Sequence, residues 1–204
     1  MAIEQVMALA PVIPVLVIED AAHARPIAEA LVRGGIRALE VTLRTPAAIE
    51  AMQEMAKVEG AVVGAGTVVS ERQLDQVMAA GARFIVSPGL TDRLGAAVIA
   101  RGIPFLPGVS DAADIMRGLD LGLDRFKFFP AEASGGIAAL KALAGPFHQC
   151  RFCPTGGINE ASAPGWLAEP AVLCVGGSWL VPTGVPDQAE IEKRARAAAK
   201  LRAP

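Results

Sequence analysis

VIPVLVIEDAAHARPIAEALVRGGIRALEVTL, Val12 to Leu43, holds one full period of the pattern that builds this chain. It opens with an apolar run too short for a helix (12–18). A segment of helical period follows, AAHARPIAEALVRGG, ending on glycine at 35, and then a second apolar run (38–43). An amphipathic stretch between two buried runs reads as strand, helix, parallel strand. Gly35 falls where a helix C-terminus needs a residue that tolerates left-handed backbone.

The same period continues along the chain. After VIPVLVI and ALEVTL, candidate strands are VVGAGTV (62–68), FIVSPG (84–89), FLPGV (105–109), RFKFFP (125–130), RFCPTGG (151–157) and VLCVGGSW (172–179). Helical patterns such as SERQLDQVMAAGA lie between them. Glycines at 35, 60, 81, 102 and 122 each precede a strand, at a spacing of 20 to 25 residues, about one βα unit. Eight units without a break in composition predict a single α/β domain over residues 1–204, a (β/α)₈ TIM barrel with a short N-terminal helix. An open dinucleotide-binding sheet would carry a glycine-rich fingerprint after its first strand, and IEDAAHARP has no glycine.

Strand alternation then sorts side chains into those under the helices and those inside the barrel. In LEVTLR the residues Leu39, Val41 and Leu43 share the outer face, leaving Glu40, Thr42 and Arg44 inward. In RFKFFP the outer face takes Phe126 and Phe128, leaving Arg125, Lys127 and Phe129 inward. Ammonium groups are rarely buried without compensation, except where a lysine must act as an amine nucleophile. A structural ion pair between Lys127 and Glu40 is the plainer reading. Arg44 goes beyond it: a second inward cation near the strand end can bind a carboxylate through two parallel hydrogen bonds. Thr67 of GAGT faces in as a possible donor. TGGI and VGGS place Gly156, Gly157 and Ser178 after strands seven and eight, where barrels of this kind often bind phosphate, with Asn159 as a helix cap. These parts fit Schiff-base chemistry on a phosphorylated keto acid. A non-covalent phosphosugar isomerase or epimerase would leave Lys127 without a covalent role, and a catalytically silent metabolite-binding barrel would leave the whole constellation without one.

The composition, 52% hydrophobic and 20% charged with a net charge of -2, describes a folded chain without a basic groove. Seven Phe, two Trp and no Tyr leave little for base stacking, so no nucleic-acid partner is expected. The basic C-terminal EIEKRARAAAKLRAP reads as a solvated last helix. VMALAPVIPVLVI mimics a signal-peptide core, yet Glu4 replaces the positive region and Pro11 and Pro14 interrupt it; no membrane association and a cytoplasmic location are expected. Three cysteines suit a reducing compartment. Cys150 and Cys153 match CxxC only formally, since positions three apart on a strand face opposite ways, and no metal site is expected.

LEVTLR, VGAGTV, IVSPG, FKFFPAE, RFCPTGGI and VLCVGGSWL together resemble the class I 2-keto-3-deoxy-6-phosphogluconate (KDPG) aldolase family, including its 4-hydroxy-2-oxoglutarate aldolase activity. The resemblance spans Pro11 to Pro182. It implies Lys127 as the Schiff-base lysine and Glu40 as the proton-transferring acid and base. Arg44 and Thr67 would hold the substrate carboxylate, Pro88 and Phe129 would line the pyruvyl pocket, and Gly156, Gly157 and Ser178 would bind phosphate. It also implies a homotrimer, no cofactor, and a place in the Entner–Doudoroff pathway. The galactonate-derived epimer of KDPG remains an alternative substrate.

Overall fold

The computed structural model describes residues 1–201; Arg202 to Pro204, the tail of the basic segment and of the predicted domain, lie outside the described residues. Helices and strands alternate. The first part contains α1 (Ile3–Met7), β1 (Val12–Leu16), α2 (Ala24–Arg33), β2 (Ala38–Thr42), α3 (Ala48–Ala56) and β3 (Val62–Gly66). Next come α4 (Glu71–Ala79), β4 (Ile85–Val86), α5 (Asp92–Ala100), β5 (Phe105–Leu106), β6 (Gly108–Val109) and α6 (Ala112–Asp120). The last part holds β7 (Arg125–Phe128), α7 (Gly136–Ala144), β8 (Arg151–Phe152), α8 (Ala163–Leu167), β9 (Val175–Gly177) and α9 (Gln188–Ala199).

All strand pairings are parallel, in a six-stranded sheet ordered β5-β4-β3-β2-β1-β9 and a three-stranded sheet ordered β6-β7-β8. This is an α/β fold whose curled six-stranded sheet forms a half-barrel of the TIM type. β5 and β6 are consecutive pieces of one extended segment, parted by Pro107, whose carbonyl still accepts from the Lys127 N–H at 2.8 Å.

Several strands are shorter than the sequence predicts. Of 84–89 only Ile85 and Val86 pair regularly, because Ser87 turns the chain and its hydroxyl donates to the Gly89 carbonyl. Of 151–157 only Arg151 and Phe152 do, since Pro154 has no N–H to give to a ladder. Segment 172–179 keeps Val175–Gly177. Hydrogen bonds still run beside β8, from Phe152 N to Ala171 O and from Gly176 N to Pro154 O, each 2.8 Å.

The helix ends follow the glycines. At Gly35 (φ 93°) two bonds close α2, Gly35 N to Val32 O and Ile36 N to Leu31 O, a pairing that needs the left-handed backbone. All five glycines singled out by their spacing have positive φ.

Among the described residues two apolar clusters result. The larger lies between strands and helices. The smaller fills the space enclosed by the strands, with Ile13, Ala38, Val62, Phe84, Val86 and Leu106. Val6 and Met7 of α1 join the inner cluster, fully buried beside the first residues of β2 and β3. The N-terminal helix therefore plugs the end where the strands begin. Burying Met7 alone is worth about 1.5–3 kcal/mol. At the far side of the chain α9 returns to α2, where a Cβ at Gly34 would overlap Ala195 and Arg33 pairs with Glu192 at 2.8 Å. Among the described residues no helix is long and apolar enough to cross a membrane.

Candidate active site

Glu40 sits in the middle of β2 and Lys127 in the middle of β7, both turned into the enclosed space. Their side chains are 3% and 4% exposed, and Lys127 Nζ donates to Glu40 Oε1 at 3.2 Å. Two charges taken from water cost several kcal/mol each, which their contact must offset. β3 makes the room: a Cβ at Gly66 would overlap the Glu40 carboxylate, and one at Gly64 would overlap the Phe84 ring. The glycines of GAGT are thus required by close approach.

The phenylalanines around Lys127 divide as strand parity demands. Phe126 packs on Phe152, with ring centroids 6.1 Å apart, and Phe128 on Trp166 at 6.3 Å, all four in the outer core. Phe129 turns its ring to the amine, with Nζ 5.2 Å from the centroid. Aromatic faces attract cations at that range. Among the described residues the lysine therefore has one carboxylate and one aromatic face for partners.

Arg44 lies just past β2, exposed, and its Nε donates to Thr67 Oγ1 at 3.3 Å. Thr67 has φ 61°, a left-handed backbone that a β-branched residue adopts at a cost of about 1–3 kcal/mol. Such strain persists where the surroundings fix it, and it commonly marks ligand clamps. Thr42, also inward, serves the sheet instead, since its hydroxyl donates to the Leu16 carbonyl at 2.8 Å and ties β2 to β1. Pro88 is exposed on the loop after β4. Its carbonyl lies against Gly108, where a Cβ would overlap it, and Gly108 is the ladder neighbour of Lys127.

Gly156 (φ 105°) and Gly157 (φ 81°) form a left-handed turn after β8, and Ser178 is exposed directly after β9. The two loops are joined below them: Thr155 bridges Gly176, where a Cβ would overlap its side chain. Ser178 lines a cleft of about 520 Å³ that also contacts Leu16, Ile18, Glu19, His23 and Thr183. Neither glycine pair opens straight into a helix. After Gly157 the chain makes a turn capped by Asn159, whose Oδ1 accepts from Ala161 N and Ser162 N, before α8 begins at Ala163. After Ser178 the next helix is α9, from Gln188. Any anion there would meet loop N–H groups without an adjoining helix dipole.

Thr155 and Glu132 were not singled out from the sequence as site residues. Thr155 is 5% exposed and could have been found by extending inward parity from Cys153. Glu132 accepts from the Trp166 indole N–H at 2.9 Å, a contact across 34 residues with no local signature. The cysteines behave as packing: Cys150 belongs to the outer cluster and Cys153 to the inner one. Burial, aided by the Asp124 carboxylate, pushes the Cys150 thiol up and away from the thiolate that redox chemistry needs.

The family model of KDPG and KHG aldolases matches residues 3–195. The 2-dehydro-3-deoxy-phosphogluconate aldolase of Zymomonas mobilis is 61% identical over 200 residues, covering 98% of this chain and 96% of that protein. A crystal structure of the Zymomonas mobilis enzyme with 3-phosphoglycerate gives a TM-score of 0.97 over 98% of this chain and 96% of the other. The KHG/KDPG aldolase of Escherichia coli K12 is 54% identical over 180 residues, 88% of this chain and 84% of its own. A KDPG aldolase from Legionella pneumophila, solved with pyruvate captured at low pH as a covalent carbinolamine intermediate, is 46% identical with a TM-score of 0.95; 98% of this chain and 99% of that one are covered.

Proposed function

The chain belongs to the KDPG and KHG aldolase family, and from that membership and the buried Lys127–Glu40 pair we infer a Schiff-base aldolase. It cleaves 2-keto-3-deoxy-6-phosphogluconate to pyruvate and glyceraldehyde 3-phosphate and acts on 4-hydroxy-2-oxoglutarate as well. One observation carries the assignment: an amine 3.2 Å from a carboxylate, both excluded from water. That contact lets a proton pass from the ammonium to Glu40 and leaves Lys127 as a nucleophile.

The steps follow. Lys127 attacks C2 of the substrate, and Glu40 protonates the departing hydroxyl, so that water leaves and a cationic imine remains. Glu40 then takes the proton of the C4 hydroxyl. The C3–C4 electron pair flows into the imine, glyceraldehyde 3-phosphate departs, and an enamine is left. Glu40 returns a proton to C3, and water hydrolyses the imine to pyruvate and free Lys127. Arg44, steadied by Thr67, pairs with the substrate carboxylate and turns C2 toward the amine. Phe129 and Pro88 line the pyruvyl end. Gly156, Gly157 and Ser178 take the phosphate.

In the same reading the strands close into a (β/α)₈ barrel over one domain, 1–204, with β5 and β6 counted as a single strand. Support comes from the bonds that run from β6 through β7 and β8 to the segment leading into β9, and from the α9–α2 contact. The family resemblance adds a homotrimer, a cytoplasmic location and a role in the Entner–Doudoroff route. The decisive experiment is borohydride reduction in the presence of pyruvate followed by peptide mass spectrometry. A reduced pyruvyl group on the Lys127 peptide is the expected product; its absence under turnover conditions would remove the covalent mechanism.

A further inference from the structure

The loop that follows the lysine strand and the glycine loop after β8 are built as one unit, and Glu132 is its fastener. Ala131 N donates to Thr155 O at 2.8 Å and Glu132 N to Gly156 O at 3.1 Å, so the two loops extend the β7–β8 ladder past the strand ends. The Glu132 side chain lies under Gly157, where any Cβ would overlap its Cβ and Cγ. Its carboxylate turns away from the glycines and accepts from Trp166 Nε1 at 2.9 Å. Trp166 belongs to α8, is 1% exposed, and packs on Phe128, the residue after Lys127.

We propose that Glu132, held by the Trp166 indole, is a positioning residue for the phosphate end of the substrate: it supports the Gly156–Gly157 turn from below and keeps its own charge off the anion. This rests on reading that turn as the phosphate site. Two physical reasons support it. A left-handed Gly-Gly turn has few conformational restraints of its own, so its N–H groups point one way only if something beneath them is fixed. A carboxylate beside an anion site also repels the anion, and less so when a donor on the other side turns its charge away. Trp166 supplies that donor from a helix that cannot shift without disturbing the aromatic contact with Phe128.

Phosphorylated and unphosphorylated substrates separate this role from a structural one. Trp166→Phe keeps the ring and removes the donor; Glu132→Ala removes the support; Glu132→Gln keeps size and an acceptor. Each is assayed with 2-keto-3-deoxy-6-phosphogluconate and with 4-hydroxy-2-oxoglutarate. A hydrogen bond to a charged group is worth enough to expect KM for the phosphorylated substrate to rise about tenfold in Trp166→Phe and Glu132→Ala. Glu132→Gln should restore it, with kcat and the values for the unphosphorylated substrate near wild type. Equal loss on both substrates, or no loss on either, overturns the proposal, and the exposed Glu132 variants decide it if Trp166→Phe does not fold. Inorganic phosphate is the separate probe of the underlying reading. Competition against the phosphorylated substrate in the wild-type enzyme supports the site, and lack of competition overturns the phosphate reading itself.

Discussion

Arg125 and Lys127 stand two residues apart on β7, both inward, and their ion pairs have little else in common. Arg125 lies at the floor, where α1 covers the strand starts. It reaches Glu4 at 3.1 Å and Asp124 at 3.0 Å, carboxylates that are 58% and 55% exposed. Lys127, one layer up, has a partner that is 3% exposed. A guanidinium does not give up its proton, so the lower pair can only hold. An ammonium and a carboxylate shut away together can exchange a proton, so the upper pair can react. Layer, partner exposure and choice of cation decide which is which.

Replacing each cation should separate the two functions. The largest effect belongs to Lys127→Ala: cleavage falls below roughly 10⁻⁴ of wild type and no reduced pyruvyl adduct forms, because no other inward amine exists on this strand. Lys127→Arg sharpens the point by keeping the charge while removing the nucleophile, and it should be equally dead. Turnover near wild type in either variant, measured by coupled pyruvate release, would erase the distinction between the layers.

Glu40→Gln comes next. The amide keeps the volume that Gly66 provides and loses the proton shuttle, so kcat should fall by about 10²–10⁴-fold while borohydride still traps pyruvate on Lys127. Loss of trapping together with turnover would mean that Glu40's help in forming the imine is indispensable and cannot be taken over by water.

Arg125→Met should give the opposite result. Its removal cuts the link between α1 and β7, and urea unfolding should show a loss of about 1–3 kcal/mol. The loss is limited because both carboxylates can turn to water and because Arg125 Nε is buried without a hydrogen-bond partner among the described residues. Activity per folded molecule should be retained. A collapse of kcat with intact folding would show that the floor pair tunes the amine above it.

The upper pair was legible in the sequence and the lower one only by half. Alternation along LEVTLR and RFKFFP turns Glu40, Lys127 and Arg125 inward, because strand period is local geometry. Partners are another matter. Glu40 was the only acid on an inward strand face, so its match to Lys127 followed. Glu4 lies 121 residues from Arg125 on a helix whose place over the floor comes from Val6 and Met7 filling the interior, which no short pattern states. The left-handed backbone of Thr67 is illegible for a different reason: such backbone is read from glycine, and here tertiary contacts impose it on threonine. Strand ends were over-read wherever Pro107, Pro154 or the Ser87 turn interrupts a ladder whose apolar pattern runs on.

Glu4→Gln tests the lower pair from its exposed side and should be the mildest change. Glu4 is more than half in solvent, so its attraction to Arg125 is weakened by water, and Asp124 remains to balance the guanidinium. Exposed ion pairs contribute about 0–1 kcal/mol, and this one should fall in that range. Screening gives a second check: at about 1 M salt the Debye length shrinks to roughly 3 Å, and the stability difference between wild type and Glu4→Gln should close. A loss that is large and unaffected by salt would mean that α1 is held by this charge, not by Val6 and Met7. The floor would then resemble the buried pair above it, and the contrast between the two layers would have to rest on the cation alone.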